Sequence, residues 1–244
     1  MGHAPENTLA SFELARKMGA EFVECDVHLT KDNQVVVIHD ETVERTTNSS
    51  GPVRGFTLKQ IKRLDAGSWF SKKFKGEKVP TLEELLTWAK RHTSHKGFQM
   101  GVAIEVKNDP VRYSKIAEET VGVVVKTGMV SRVILISFDH AVVKKAKKLN
   151  RKIATGILFD KELKDPFKRA KEVGADALFP RRNLVTKPLV QKAHQKGLAV
   201  ATWTVNEAPD MKKIIRCGAD AIATNYPERL NEILSVQPTR HSAI

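Results

Sequence analysis

From residue 98 onward, short apolar runs alternate with amphipathic stretches at a spacing that leaves few folds open. The runs at 102–107, 132–137, 152–158, 176–179, 198–205 and 220–224 read as strands. The stretches at 111–127, 139–149, 163–173, 186–196, 207–217 and 227–235 read as helices. Strand-helix alternation of this kind means parallel strands joined by right-handed crossovers. Gly174, Gly197 and Gly218 each follow a helix, where a left-handed C-cap is needed. Pro110, Pro188 and Pro227 fall near helix starts, where the missing N–H costs nothing. With a further strand at 21–27, seven parallel strands are predicted.

The segment Phe22 to Asp40 carries the first chemistry. Two β-rich runs flank the polar turn Lys31-Asp32-Asn33-Gln34, a hairpin signal. With Asp32-Asn33 as a two-residue tip, Asp26 lies opposite His39. Glu24 shares the face of Asp26, because successive side chains alternate across a strand. Two carboxylates and an imidazole then converge, a grouping suited to a hard cation and an acid or base beside it. Alternating acids also arise on a plainly solvated face. Against that stand Phe22, Val23, Val27, Val35, Val36, Val37 and Ile38, which make both runs apolar. Carboxylates buried among such residues are costly unless paired or metal-bound. The strand at 102–107 repeats the pattern, with Glu105 and Lys107 on one face.

A chain of 244 residues suits one α/β barrel domain over 1–244. Seven parallel strands are one short of a (β/α)8 barrel. The chain also opens on a helix pattern from Asn7 to Met18, so the first barrel strand is expected to be missing. Residues 41–80 hold no barrel strand, and their polar run 45–51 and short helix Thr57–Leu64 read as an insertion capping the site. The tail after Ser235 is expected to fray.

The net charge of +13 favours anionic partners. Lys72, Lys73, Lys75 and Lys78 form one cluster. Lys144, Lys145, Lys147 and Lys148 form another, on a helix whose apolar side is Val142, Val143 and Ala146, which reads as a solvated face. No zinc-finger, RRM or KH signature is present and aromatics make up 6%, so nucleic-acid binding is not expected. Cys25 and Cys217 fit no metal spacing and read as free thiols. No apolar run approaches the ~20 residues of a membrane helix. No leader pattern is visible, and the cytoplasm is the expected compartment. After Met1-Gly2, Glu6 stands where a myristoylation signal needs Ser or Thr. The oligomeric state is not readable.

Nine blocks together resemble the glycerophosphodiester phosphodiesterase family: A-P-E-N-T-L-A-S-F at 4–12, V-E-C-D-V at 23–27, V-V-V-I-H-D at 35–40, R-T-T-N at 45–48, L-D-A-G-S-W-F at 64–70, V-P-T-L-E-E-L-L at 79–86, I-E-V-K at 104–107, W-T-V-N at 203–206 and T-N-Y-P at 224–227. The resemblance implies a TIM-type (β/α)8 barrel of the phospholipase-C-like phosphodiesterase kind. It implies one divalent cation, Mg²⁺ or Ca²⁺ with Mn²⁺ also fitting, held by Glu24, Asp26 and Glu105. It implies His39 as one of two acid/base histidines. The other belongs to an H-R-G motif just upstream of A-P-E-N-T, which is absent here, and His3 is not its replacement. Asn225 stands where the family commonly has Asp.

The activity implied is hydrolysis of a small-molecule glycerophosphodiester to sn-glycerol 3-phosphate and an alcohol, impaired in a chain lacking the H-R-G strand. A non-catalytic phosphodiester-binding relative and a lysophospholipase D-like or sphingomyelinase D-like lipid hydrolase remain open. For substrate contacts, Lys107 reads equally as a phosphoryl contact or as the salt-bridge partner of Glu105. Trp203 reads as core or, by the resemblance, as pocket wall. Phe138 and Glu6 complete the substrate set. His28, His92, His95 and His194 read as surface residues, and His140 as structural.

Overall fold

The first helix, α1 (Leu9–Lys17), starts two residues later than the predicted Asn7, because Thr8 and Ser11 close a capping box. Its geometry comes from a computed structural model that describes residues 2–94 and 96–235. His95 and the tail beyond Ser235 lie outside the described residues.

Strand β1 (Phe22–Leu29) turns back into the short β2 (Val35–Val37). The register corrects the predicted hairpin by one residue. Val27 faces Val37 and Leu29 faces Val35, so Asp26 meets Ile38 and not His39. The loop has three residues, since Asn33 takes a left-handed conformation at φ 57° and the Thr30 and Gln34 backbones pair. Asparagine tolerates that conformation better than most residues, and it adds the extra residue.

The remaining elements follow in order: α2 (Leu58–Ile61), α3 (Leu82–Arg91), β3 (Gly101–Val106), α4 (Ile116–Thr127), β4 (Val133–Ser137), α5 (His140–Leu149), β5 (Ala154–Phe159), α6 (Pro166–Val173), β6 (Ala177–Pro180), α7 (Lys187–Gln195), β7 (Ala199–Thr202), α8 (Ala208–Cys217), β8 (Ala221–Ile222) and α9 (Pro227–Ser235). Gly174 and Gly218 cap α6 and α8 at φ 72° and 86°, as their positions demanded. Pro110 does not start α4. That helix begins six residues later, after a loop in which the Tyr113 N–H donates to Asn108 Oδ1. Helix α3 was absent from the predicted set although Thr81 and Glu84 form a capping box ahead of Leu82, Leu85, Leu86 and Ala89, all fully buried. Each buried leucine there contributes about 1.5–3 kcal/mol.

The sheet order is β2-β1-β3-β4-β5-β6-β7-β8, with β2 antiparallel and every other pairing parallel. It curls with the helices outside into the TIM-type wall. Odd-numbered positions of β1 (Val23, Cys25, Val27) join the core against α1, α3 and α4, so Glu24 and Asp26 face the lumen. Among the described residues no ladder joins β8 to β1, which leaves a seam. Gly2 packs against Asn225 and Tyr226 just past β8, and His3 bonds Glu228 at 3.0 Å, so the first described residues lie beside that seam.

Residues 41–80 form a lobe over the β1–β2 end. Val43, Val53, Ile61, Ala66 and Val79 pack there with Val36 and Ile38 of the hairpin. Asp65 ties the lobe by accepting from the N–H groups of Gly67, Ser68 and Gly76, and these bonds hold its carboxyl well below the usual range. Gly67 has no substitute, since a Cβ there would collide with the Phe74 carbonyl oxygen. On α5, Val142, Val143 and Ala146 are buried as predicted, while Lys145 and Lys147 pair with Glu118 and Asp176.

Candidate active site

Parallel pairing sets Asp26 beside Glu105, and Glu24 lies two residues down the same face of β1. One oxygen from each of these three carboxylates lies within 4.8 Å of the others. Lys107 follows directly on β3, where its ammonium bonds Asp26 Oδ1 at 2.9 Å and Glu105 Oε1 at 2.7 Å. Asp26 is buried and Lys107 and Glu105 are largely covered, with side chains 6%, 15% and 12% exposed. Glu24 is open to solvent yet deep within the ring of strands.

The electrostatics follow from crowding. Although Glu24 is exposed, the protein surrounding its carboxylate raises its pKa by desolvation, and Asp26 and Glu105 raise it further by repulsion. Burial and then Asp26 raise that of Glu105, with Lys107 opposing. Burial alone would lower the Lys107 pKa, but Asp26 and Glu105 outweigh it and the net shift is upward. Three carboxylates and one ammonium leave two negative charges, which one divalent cation balances. Three oxygen donors this close match a hard cation, and Lys107 already presents positive charge to two of them.

Asn7 fixes Asp26 from the other side. Its Nδ2 donates to Asp26 Oδ2 at 2.9 Å, and its Oδ1 accepts from the Asp26 N–H at 3.3 Å. To do so Asn7 adopts φ 54°, a conformation asparagine reaches more readily than most residues.

His39 sits on the rim, half exposed. Its Nδ1 bonds Asp40 Oδ1 at 2.7 Å, and its Nε2 lies 3.4 Å from Lys107 Nζ. A carboxylate only accepts, so Nδ1 carries the hydrogen and the Nε2 lone pair accepts from the lysine. Arg45, from the lobe, bonds both oxygens of Asp40 and both of Glu6. Arg45 is the main cause, against the effect of burial, that lowers the Asp40 pKa to about 2. Across the mouth, Phe138 and Trp203 meet edge to face at 5.5 Å, and Trp203 Nε1 donates to the Phe179 carbonyl at 3.0 Å.

The chain matches the glycerophosphoryl diester phosphodiesterase family over residues 1–229. It belongs to that family. The family is one of phosphoric diester hydrolases. The chain is 40% identical over 228 residues to a glycerophosphodiester phosphodiesterase of Caldanaerobacter subterraneus subsp. tengcongensis, covering 93% of this chain and 91% of that one. Among solved structures it resembles an Oleispira antarctica phosphodiesterase in complex with the product sn-glycerol-3-phosphate, at TM-score 0.83 and 28% identity over 96% of this chain and 93% of that one. It also resembles a glycerophosphodiester phosphodiesterase of Agrobacterium tumefaciens, at TM-score 0.81 and 28% identity over 94% of each chain.

Within this family member, Glu24, Asp26, Glu105, Lys107 and His39 lie together, with His39 reaching the cluster through Lys107 and not as the partner of Asp26 in the hairpin. Lys107 takes the salt-bridge alternative in this structure. Glu6 reaches the site through Arg45. Phe138 and Trp203 face each other edge to face. His28 is a correction: it is 3% exposed, not a surface residue, and burial lowers its pKa while its bond to the His39 carbonyl opposes the shift. His194 is exposed and pairs with Asp220, and His92 stacks on Trp88. His140 is structural, bonding the Leu158 carbonyl. Asn7, Asp40, Arg45 and Tyr113 were not anticipated at the site. No described helix is long and apolar enough to cross a membrane.

Proposed function

We propose that this chain hydrolyses glycerophosphodiesters to sn-glycerol 3-phosphate and an alcohol, as one unit with residues 41–80 as its cap. The carrying observation is the Glu24, Asp26 and Glu105 cluster within 4.8 Å, with Lys107 and His39 beside it. In this reading the three carboxylates hold one divalent cation, Mg²⁺ or Ca²⁺ with Mn²⁺ a further candidate. A cation bound there would supply positive charge to a phosphodiester and lower the cost of attack at phosphorus. Lys107 donates to a phosphoryl oxygen once its carboxylates are otherwise engaged. His39 moves a proton at Nε2, taking it from an attacking hydroxyl or giving it to the departing alcohol. Asp40 keeps that ring in one tautomer and Arg45 keeps Asp40 in place. Phe138 and Trp203 give the glycerol carbons an apolar wall, and Glu6 anchors Arg45. The free thiols Cys25 and Cys217 support a reducing, cytoplasmic setting.

Among the described residues, His39 is the one imidazole whose Nε2 meets the Lys107 ammonium. A positioned acid or base contributes about 10²–10⁴-fold, so the 244-residue polypeptide should run slower than a two-histidine site by that order. The test is release of sn-glycerol 3-phosphate from glycerophosphocholine, with and without each cation, by a coupled dehydrogenase assay. Cation-dependent release that Glu105→Gln abolishes is expected. Tight binding without any turnover would favour a non-catalytic relative, and faster cleavage of lysophospholipids a lipid hydrolase.

A further inference from the structure

His28 is buried, lies on the lumen face of β1 two residues beyond Asp26, and has no part in the proton transfers above. Its Nε2 is 3.1 Å from the carbonyl oxygen of His39, and its Nδ1 is 3.1 Å from the Tyr113 hydroxyl. A carbonyl can only accept, so Nε2 carries the hydrogen. Nδ1 is then an acceptor and the phenol donates to it. The two rings meet edge-on at 5.8 Å, which leaves the imidazole little freedom to turn.

Tyr113 is itself anchored. Its N–H donates to Asn108 Oδ1 at 2.7 Å, and Asn108 Nδ2 donates to Asp139 Oδ2 at 2.8 Å, at the N-cap of α5. A line of hydrogen bonds thus runs from the His39 backbone to the far side of the mouth. His39 needs such an anchor, because β2 ends at Val37 and the last backbone bond before it is Ile38 N–H to the Asp26 carbonyl.

We propose that His28 is a positioning residue that fixes the His39 backbone, and so the direction of its Nε2, through the imidazole-to-carbonyl bond. The inference rests on reading His39 as the acid/base group. It predicts that the hydrogen bond matters, and not the volume alone.

The experiment compares His28→Leu, His28→Gln and Tyr113→Phe in the full chain. Leucine fills space without a donor; glutamine keeps a donor at similar reach. A misplaced reacting group costs up to about 10²-fold, so His28→Leu should lower kcat by roughly 10–100-fold with KM within about 2-fold. His28→Gln should recover most of it. Full activity of His28→Leu, or equal damage by both substitutions, would overturn the proposal. Should His28→Leu fail to fold, Tyr113→Phe decides: lower kcat at unchanged Tm supports the proposal and unchanged kcat refutes it. The ring ¹⁵N signals of His39 give a readout free of turnover, expected to change with leucine and to hold with glutamine. A wild type inert on every phosphodiester would sink the hydrolase reading, while those signals still decide this one.

Discussion

Replacing Lys107 by Met keeps the stem and removes the charge at the centre of the carboxylate cluster. The ammonium is 2.9 Å from Asp26 and 2.7 Å from Glu105, with all three side chains at most 15% exposed. Breaking a buried pair by deleting one partner costs about 3–5 kcal/mol, because the other charge is left uncompensated. For a chain of this size about 1 kcal/mol moves Tm by roughly 2–4 °C, which gives a fall of roughly 6–20 °C in chelator. Divalent cations should then raise Tm more in the variant than in the wild type, since the competing ammonium is gone. A ligand at 100 times its Kd adds about 2.7 kcal/mol, well within reach of a melt followed by circular dichroism. A variant that melts within about 2 °C of wild type in chelator would refute Lys107 as the buried counter-charge, given the shift expected above. Cations that stabilise neither protein would refute the carboxylates as a metal site.

Asn7→Ala removes both bonds to Asp26 and should weaken divalent-cation affinity about 10–100-fold, as losses of outer-shell partners do; titration calorimetry measures it. Asp40→Asn tests the acid limb of stability. The Asp40 pKa falls from 3.8 to about 2 on folding, so its contribution is complete above 3.8 and is lost as pH falls through about 2. Urea unfolding should therefore show a wild-type advantage over Asp40→Asn that is constant near neutrality and closes toward about pH 2; an advantage that persists there would contradict the assignment.

The carboxylate cluster was legible because strand alternation is strict. Glu24 and Asp26 share a face by period two, and an apolar strand carrying Glu105 and Lys107 has one obvious neighbour. The same rule put His28 on the lumen face, yet its place near a hairpin end argued for the surface; packing of the 108–115 loop and the cap buried it. The hairpin slipped by one because a two-residue tip was assumed, while Asn33 supplied the left-handed residue of a three-residue loop. Helix α3 is signalled by T-L-E-E at 81–84, a capping box that also falls inside the family block at 79–86. The tie from Arg45 to Glu6 spans 39 residues and that from Asn7 to Asp26 spans 19. Neither follows from local pattern; both need the tertiary fold.

The seam bears on the carboxylate cluster through backbone direction. In β1 the residues that pair with β3 are those whose side chains face outward: the Lys107 N–H goes to the Val27 carbonyl and the Gly101 N–H to that of Glu21. The backbone groups of Phe22, Glu24 and Asp26 therefore point away from β3. At Asp26 this side is covered, since Asn7 takes the N–H and Ile38 donates to the carbonyl. At Glu24 no described ladder covers it, and β2 reaches only Val27 to Leu29. Of the three carboxylates, Asp26 is held by three groups, Glu105 by a lysine between two paired strands, and Glu24 by one strand edge alone. Whatever pairs along the Phe22–Asp26 edge would order Glu24 directly, because in a strand the backbone that makes the ladder also aims the side chain. Closure of the barrel and geometry of the carboxylate cluster are thus the same structural variable at this edge, with Glu24 the carboxylate most sensitive to it.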